Sequence, residues 1–176
     1  MIIEQQNIQG LFTVQNELFQ DDRGHFTRTY CREEFENGGI FEGFVQMNQS
    51  FNKLKGTLRG MHYQTGNFSE AKFVRCVKGS IFDVVIDLRQ ESETYLQTFS
   101  IELSDINNKG LYIPAGFAHG FQTLCDDTIV HYCHSNYYSP GNESGIPYND
   151  PLLNINWPLP ISKISDRDKS YKKLTK

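Results

Sequence analysis

The feature that most constrains this chain is its punctuation. Short apolar runs are broken every ten residues or so by Gly, Asn, Asp or Pro, the rhythm of a β-sandwich or barrel made from short strands. The clearest run is Ser80 to Arg89. Phe82, Val84, Ile86 and Leu88 fall on one of its faces, and Asp83, Val85, Asp87 and Arg89 on the other. Phe73 to Val77 precedes it across a Lys78-Gly79 turn, and Thr98 to Leu103 follows. Asn107-Asn108-Lys109-Gly110 reads as a turn, with a new strand from Leu111 to Ile113 before Pro114. Thr128 to His134 alternates Val130, Tyr132 and His134 against Ile129, His131 and Cys133, and Ser139-Pro140-Gly141-Asn142 then ends the regular pattern. Helix signals are confined to Arg32–Glu36 and to Ser165–Leu174, where Ser165 with Asp168 three residues on resembles a capping box. No repeat, low-complexity tract or linker divides the chain. The expectation is one mainly β domain over residues 1–176, with short helices at its edges.

Composition narrows the function classes. A formal charge of -4 argues against nucleic acid as the main partner, yet leaves room for a local basic pocket that takes a phosphate. No apolar run approaches the roughly 20 residues of a membrane span. The start, Met1-Ile2-Ile3-Glu4-Gln5-Gln6, has neither the basic opening nor the apolar core of a secretion signal, so a cytoplasmic location is expected. Cys31, Cys76, Cys125 and Cys133 are scattered without metal or disulfide spacing, and read as reduced thiols.

The chemistry gathers in Leu58-Arg59-Gly60-Met61-His62-Tyr63-Gln64, which sets an arginine, an imidazole and a phenol within five residues. A histidine that exchanges protons near neutral pH is the first candidate for a general base. Downstream, Gly110-x-x-x-Pro114-x-Gly116-x-x-His119 resembles the second motif of cupins, small double-sheet barrels of jelly-roll type. Metal-binding cupins carry a His-x-His pair on an earlier strand. Here that strand reads His62-Tyr63-Gln64, with no acidic residue in the next few positions. Two histidines do not make up the three protein ligands usual for a catalytic metal, so no metal is expected.

Further segments occur in a fixed order: Asp22-Arg23-Gly24, Gln46-Met47-Asn48-Gln49-Ser50, Lys72, Phe82 to Arg89, Ile113 to Phe121, Tyr137-Tyr138, Trp157-Pro158 and Ser165-Asp166-Arg167-Asp168. Together with Gly56 to Gln64, they resemble the dTDP-4-dehydrorhamnose 3,5-epimerase family from about residue 8 to about residue 170. The resemblance implies a cupin-type double-sheet jelly-roll barrel that needs no cofactor, forms a homodimer with shared N-terminal strands, and acts on a nucleotide-linked 4-keto-6-deoxyhexose. It also implies roles: His62 as base oriented by Asp168, Tyr132 as acid on the opposite face, and Lys72 beside the enolate oxygen. His119, Arg59, Arg23, Arg167, Gln46, Asn48 and Glu143 match residues that contact the sugar, base or diphosphate.

Each residue also has a plainer local reading. From local sequence alone Asp168 is a helix cap, Tyr132 a half-buried strand aromatic, Lys72 a surface lysine, and Arg23 a turn residue. Strict alternation puts Arg59 on the face opposite His62, so a bulge or a strand end is expected near Gly60. Two departures from the family stand out. Arg28 occupies a position where the family has a glutamate that accepts from thymine. A donor-only arginine suits the acceptor of a cytosine better, so a CDP-sugar becomes an alternative. The usual Gln-Asp-Asn-His also reads Gln46-Met47-Asn48-Gln49. A single-carbon epimerase and a non-catalytic sugar-nucleotide binder are the other readings.

Overall fold

The computed structural model describes residues 1–174. In chain order the strands are β1 (Ile2–Gln5), β2 (Phe12–Gln15), β3 (Phe19–Asp21), β4 (Gly24–Phe26), β5 (Gln46–Asn52), β6 (Leu58–Gln64) and β7 (Lys72–Lys78). There follow β8 (Ser80–Asp87), β9 (Thr98–Ser104), β10 (Lys109–Ile113), β11 (Phe117–Thr123), β12 (Thr128–His134) and β13 (Glu143–Gly145). The helices are α1 (Arg32–Asn37) and α2 (Asp166–Ser170), with a single 3-10 turn at Gly66–Phe68. One sheet runs β1-β2-β10-β7-β12-β5, the other β13-β6-β11-β8-β9, and β3 and β4 form a separate hairpin. All strand pairings are antiparallel. Two facing sheets of this order are the expected mainly β jelly roll.

Three apolar layers hold it together. Between the sheets lie Val74, Cys76, Leu111 and Val130 from one side and Ile81, Val85, Leu103 and Phe121 from the other. Outside the first sheet, α1 lays Phe35 over Phe73, Tyr112 and Cys133. Outside the second, the loop after β13 brings Ile146 and Leu153 over Met61, Val84, Ile86 and Ala118, with Trp157 edge-on to Phe82. Strand β8 is therefore apolar on both faces because both are covered.

Several boundaries differ from expectation, each for a tertiary reason. β8 ends at Asp87, two residues early, because that carboxylate binds the Arg89 guanidinium and the Ser92 and Thr94 hydroxyls and pulls the chain into a loop. β10 begins at Lys109 because Lys109 pairs with Gln15 and the turn closes at Asn108, whose φ is +52°. The short β13 after the Ser139–Asn142 turn carries no apolar alternation; it is recruited by pairing with β6. The C-terminal helix stops at Ser170 instead of Leu174. Tyr171 turns extended, its ring edge-on to His62, and the Leu174 amide is taken by the Asp150 carboxylate.

Candidate functional site

A cavity of about 640 Å³ opens between the sheets at the end away from the apolar core. β6, β11 and β13 contribute Arg59, His62, His119 and Glu143 from one sheet. β5, β7 and β12 contribute Gln46, Asn48, Ser50, Lys72, Tyr132 and His134 from the other, and Arg167 of α2 leans over the rim.

Arg59 and His62 share this cavity because of a bulge. His119 pairs with His62 and Phe121 with Arg59, so three steps on β6 match two on β11. The extra residue turns both side chains to one face. It lies at Gly60-Met61, where Gly60 has φ +123° and an added Cβ would stand 2.5 Å from the Gly120 Cα. Only glycine fits there.

His62 Nε2 lies 2.8 Å from Asp168 Oδ1, while Asp168 Oδ2 accepts from the Gly60 amide at 3.1 Å. The Asp168 amide in turn donates to Ser165 Oγ at 3.0 Å. Asp168 is thus both part of the helix cap and the partner of His62. Burial alone would push its carboxyl up; the bonds from His62, Gly60 and Ser165 outweigh it and hold the group below the usual carboxylate range. A carboxylate on Nε2 makes that nitrogen the protonated one and leaves Nδ1 with the lone pair.

Facing His62 from the other sheet, the Tyr132 hydroxyl lies 2.8 Å from Ser50 Oγ. Burial pushes the phenol well above its ordinary range, so it carries its proton at neutral pH. Lys72 is buried, with Nζ 3.3 Å from Glu70 and 3.5 Å from the His62 carbonyl. Burial lowers its affinity for a proton, and Glu70 counters that. His119 Nε2 bonds Asp83 at 2.8 Å. Asp83 is fully buried, and its other oxygen is the one buried side-chain atom without a partner among the described residues. Burial raises its pKa against the pull of His119. Arg167 pairs with Glu143 at 3.0 Å, and Arg59 Nε donates to Asn52 Oδ1 at 2.6 Å. Among the described residues no three His, Cys, Asp or Glu side chains converge to hold a metal.

Over residues 5–176 the chain matches the family profile described as dTDP-4-dehydrorhamnose 3,5-epimerase. The chain belongs to the dTDP-4-dehydrorhamnose 3,5-epimerase family. Among its curated relatives, the family member of Methanothermobacter thermautotrophicus is 40% identical over 96% of this chain and 91% of its own length. The solved dTDP-4-dehydrorhamnose 3,5-epimerase of Bacillus anthracis, with TDP and PPi bound, superposes with a TM-score of 0.96 at 38% identity, covering 98% of this chain and 99% of that one. The Legionella pneumophila epimerase in complex with dTDP-4-keto-L-rhamnose superposes at 0.93 with 36% identity, covering 98% and 92%.

Of the candidate site residues, the cavity gathers all but Arg23, Arg28 and Asp168. Asp168 stands behind His62. Within one chain neither Arg23 nor Arg28 reaches the cavity. Arg23 sits on the β3–β4 hairpin, 87% exposed and paired with Asp21, because that hairpin joins neither large sheet. Arg28 is bound by Glu34, which also takes the N-terminal ammonium. The residues that sequence reasoning left out are Glu70, Asp83 and Ser50. Asp83 lay in view as one of two acids in an otherwise apolar strand. Ser50 has no local signal, since its partner Tyr132 comes from a distant strand; Glu70 lies two residues before Lys72, but its bond to His134 comes from another strand. No helix among the described residues is long and apolar enough to cross a membrane.

Proposed function

We propose that this epimerase-family chain inverts carbons 3 and 5 of a dTDP-linked 4-keto-6-deoxyhexose by proton abstraction and return. The observation that carries the reading is His62 on one sheet, backed by Asp168 of α2, facing the Tyr132 phenol on the other sheet, with the Lys72 ammonium in the same cavity. The ketone at carbon 4 makes the neighbouring C–H bonds acidic. His62 Nδ1 takes the proton, and the C–H electron pair moves through carbon to the ketone oxygen as an enolate. Lys72 meets a charge that exists only during reaction, which is where a fixed cation helps most. Tyr132 then delivers its proton to the opposite face of the same carbon. His62 loses its proton to solvent and Tyr132 regains one, so the cycle closes without net proton change. Asp168 acts through His62 and is a positioning residue.

At the nucleotide end Arg59, Arg167 and His119 suit the diphosphate and sugar, with Gln46, Asn48 and Glu143 as polar contacts. The β3–β4 hairpin, with Phe19 and Phe26 61% and 66% exposed, is the segment we infer to enter a second copy in a cytoplasmic homodimer and to carry Arg23 with it. Arg28 gives one N–H to Glu34 and keeps its others, so the cytidine alternative stands beside the dTDP reading that the relatives support. Affinities for dTDP, UDP, CDP and GDP separate the two, and tighter CDP binding would overturn the dTDP reading. The reaction itself is tested by solvent deuterium exchange into nucleotide-linked 4-keto sugars, read by NMR. Label at carbons 3 and 5 is expected. Label at one carbon points to a single-carbon epimerase, and none with any sugar to a binder.

A further inference from the structure

The lysine of this cavity has a companion cluster that the reaction scheme does not use. Glu70 lies just ahead of β7, with its side chain 7% exposed. One oxygen stands 3.3 Å from Lys72 Nζ. The other accepts from Gln64 Nε2 at 3.0 Å and lies 3.1 Å from His134 Nδ1. On its far side, His134 Nε2 faces the Asn48 amide nitrogen at 3.3 Å, and the Asn48 carbonyl oxygen accepts from Gln46. That last bond turns the Asn48 N–H toward the ring, so Nε2 must be an acceptor and Nδ1–H the donor to Glu70. One oxygen of Glu70 is thus tied by Gln64 and His134, and the other faces Lys72.

The other acids near Lys72 are already engaged. Asp83 on β8 bonds His119 of β11, and Glu143 on β13 pairs with Arg167 of α2. His62 on β6 is tied to Asp168, and the Tyr132 phenol beside His134 on β12 is uncharged. A buried ammonium with no counter-ion gives up its proton readily.

We propose that Glu70 is a positioning residue for Lys72: it keeps the ammonium charged and aimed into the cavity, and His134 with Gln64 fixes Glu70 in place. This deepens the proposed function and rests on Lys72 facing the enolate oxygen. The arrangement has two opposed consequences. The carboxylate extends the pH range over which Lys72 is charged, and at 3.3 Å it also blunts the field that Lys72 exerts on the enolate. Removing the charge while keeping the shape separates the two.

The experiment compares wild type and Glu70→Gln in two readouts across pH 6–11. The first is the proton affinity of Lys72, from its rate of acylation by acetic anhydride followed by peptide mass spectrometry. The second is kcat for deuterium exchange. An opposite charge within about 4 Å shifts a pKa by roughly 1–3 units, so Lys72 titration and the basic limb of kcat should both move down by about that much. Below the new limb, kcat should equal or exceed wild type. A uniform fall in kcat at every pH, with Lys72 titrating unchanged, would overturn the proposal and leave Glu70 a packing residue. If wild type exchanges no sugar, the proposed reaction fails, and the acylation readout alone decides whether Glu70 holds the charge on Lys72. His134→Gln, which keeps a neutral polar side chain, should leave Lys72 titration within a few tenths of a unit; a shift as large as that of Glu70→Gln would also overturn it.

Discussion

The two ends of the barrel interior are built on the same strands to opposite rules. Along β7 the inward row runs Cys76, Val74, Lys72, and along β12 it runs Val130, Tyr132, His134. Two residues of travel change the interior from a dry apolar layer to a cavity of ionisable groups. At the apolar end, stability comes from removing hydrocarbon from water and packing it closely, and exact partners matter little. At the polar end nearly every charge has a named partner: His62 with Asp168, His119 with Asp83, Lys72 with Glu70, Arg167 with Glu143. Groups buried without partners cost more than the pairs contribute. The polar end therefore spends stability on a defined arrangement, and the apolar end supplies the stability to hold it.

That contrast can be broken most sharply at His62. His62→Ala should lower deuterium exchange by about 10²–10⁴-fold, the usual worth of a general base, and should also lower the denaturation midpoint, because buried Asp168 loses a partner. Retained wild-type exchange would remove His62 from the role of base. The mirror experiment is Leu111→Ala in the apolar layer, where Leu111 is fully buried. Chemical denaturation should show a loss of about 2–5 kcal/mol, while kcat per folded molecule stays within about twofold. A large kcat effect would mean that the two ends are not separable.

The seam between them is tested by Gly60→Ala. The added methyl would meet the Gly120 Cα and the His119 carbonyl at a φ of +123°. A loss of about 1–3 kcal/mol, as for strained backbone, should come together with reduced exchange, because the bulge that turns Arg59 and His62 to one side would shift. Normal stability and normal exchange would show that the bulge tolerates a side chain.

The smallest effect concerns pH. The Asp168 pKa is lower folded than unfolded, so the unfolded chain binds the extra proton first as pH falls. Its contribution is complete above the unfolded carboxylate range near pH 4 and is lost as pH drops through the folded value. Glu70 and Asp87 are also depressed and add to the same acid-side loss. Asp168→Asn should reduce the slope of stability against pH below about 4 by at most about 1.4 kcal/mol per unit, one proton's worth. An unchanged slope would place the acid sensitivity elsewhere.

How much was legible follows the same division. β12 was readable to the residue, because a half-buried strand alternates and turn residues bracket it. α1 and the bulge at Gly60 were also visible, the bulge as a parity conflict between Arg59 and His62 that a glycine could resolve. β8 was visible as a strand, but which face was interior was not: Asp83 and Val85 face the other sheet, while Phe82, Val84 and Ile86 lie under the loop after β13. With both faces covered, hydrophobic alternation loses its meaning. The C-terminal helix was half readable. Ser165 and Asp168 start it as a capping pair, but Tyr171 leaves it to pack beside His62, a contact that no local window contains.

The sequence by itself determined the strand rhythm, the jelly-roll class and, through motifs in register, the family and its candidate base, acid and lysine. Those are carried by residue type and spacing along the chain. Only the tertiary structure decided which carboxylate serves which cation, that Arg23 and Arg28 lie outside their own chain's cavity, and that Glu70 stands behind Lys72. The reason is physical: Arg167 meets Glu143, His134 meets Glu70 and His62 meets Asp168 across 24, 64 and 106 residues of sequence, and the local pattern of either partner is silent about the other.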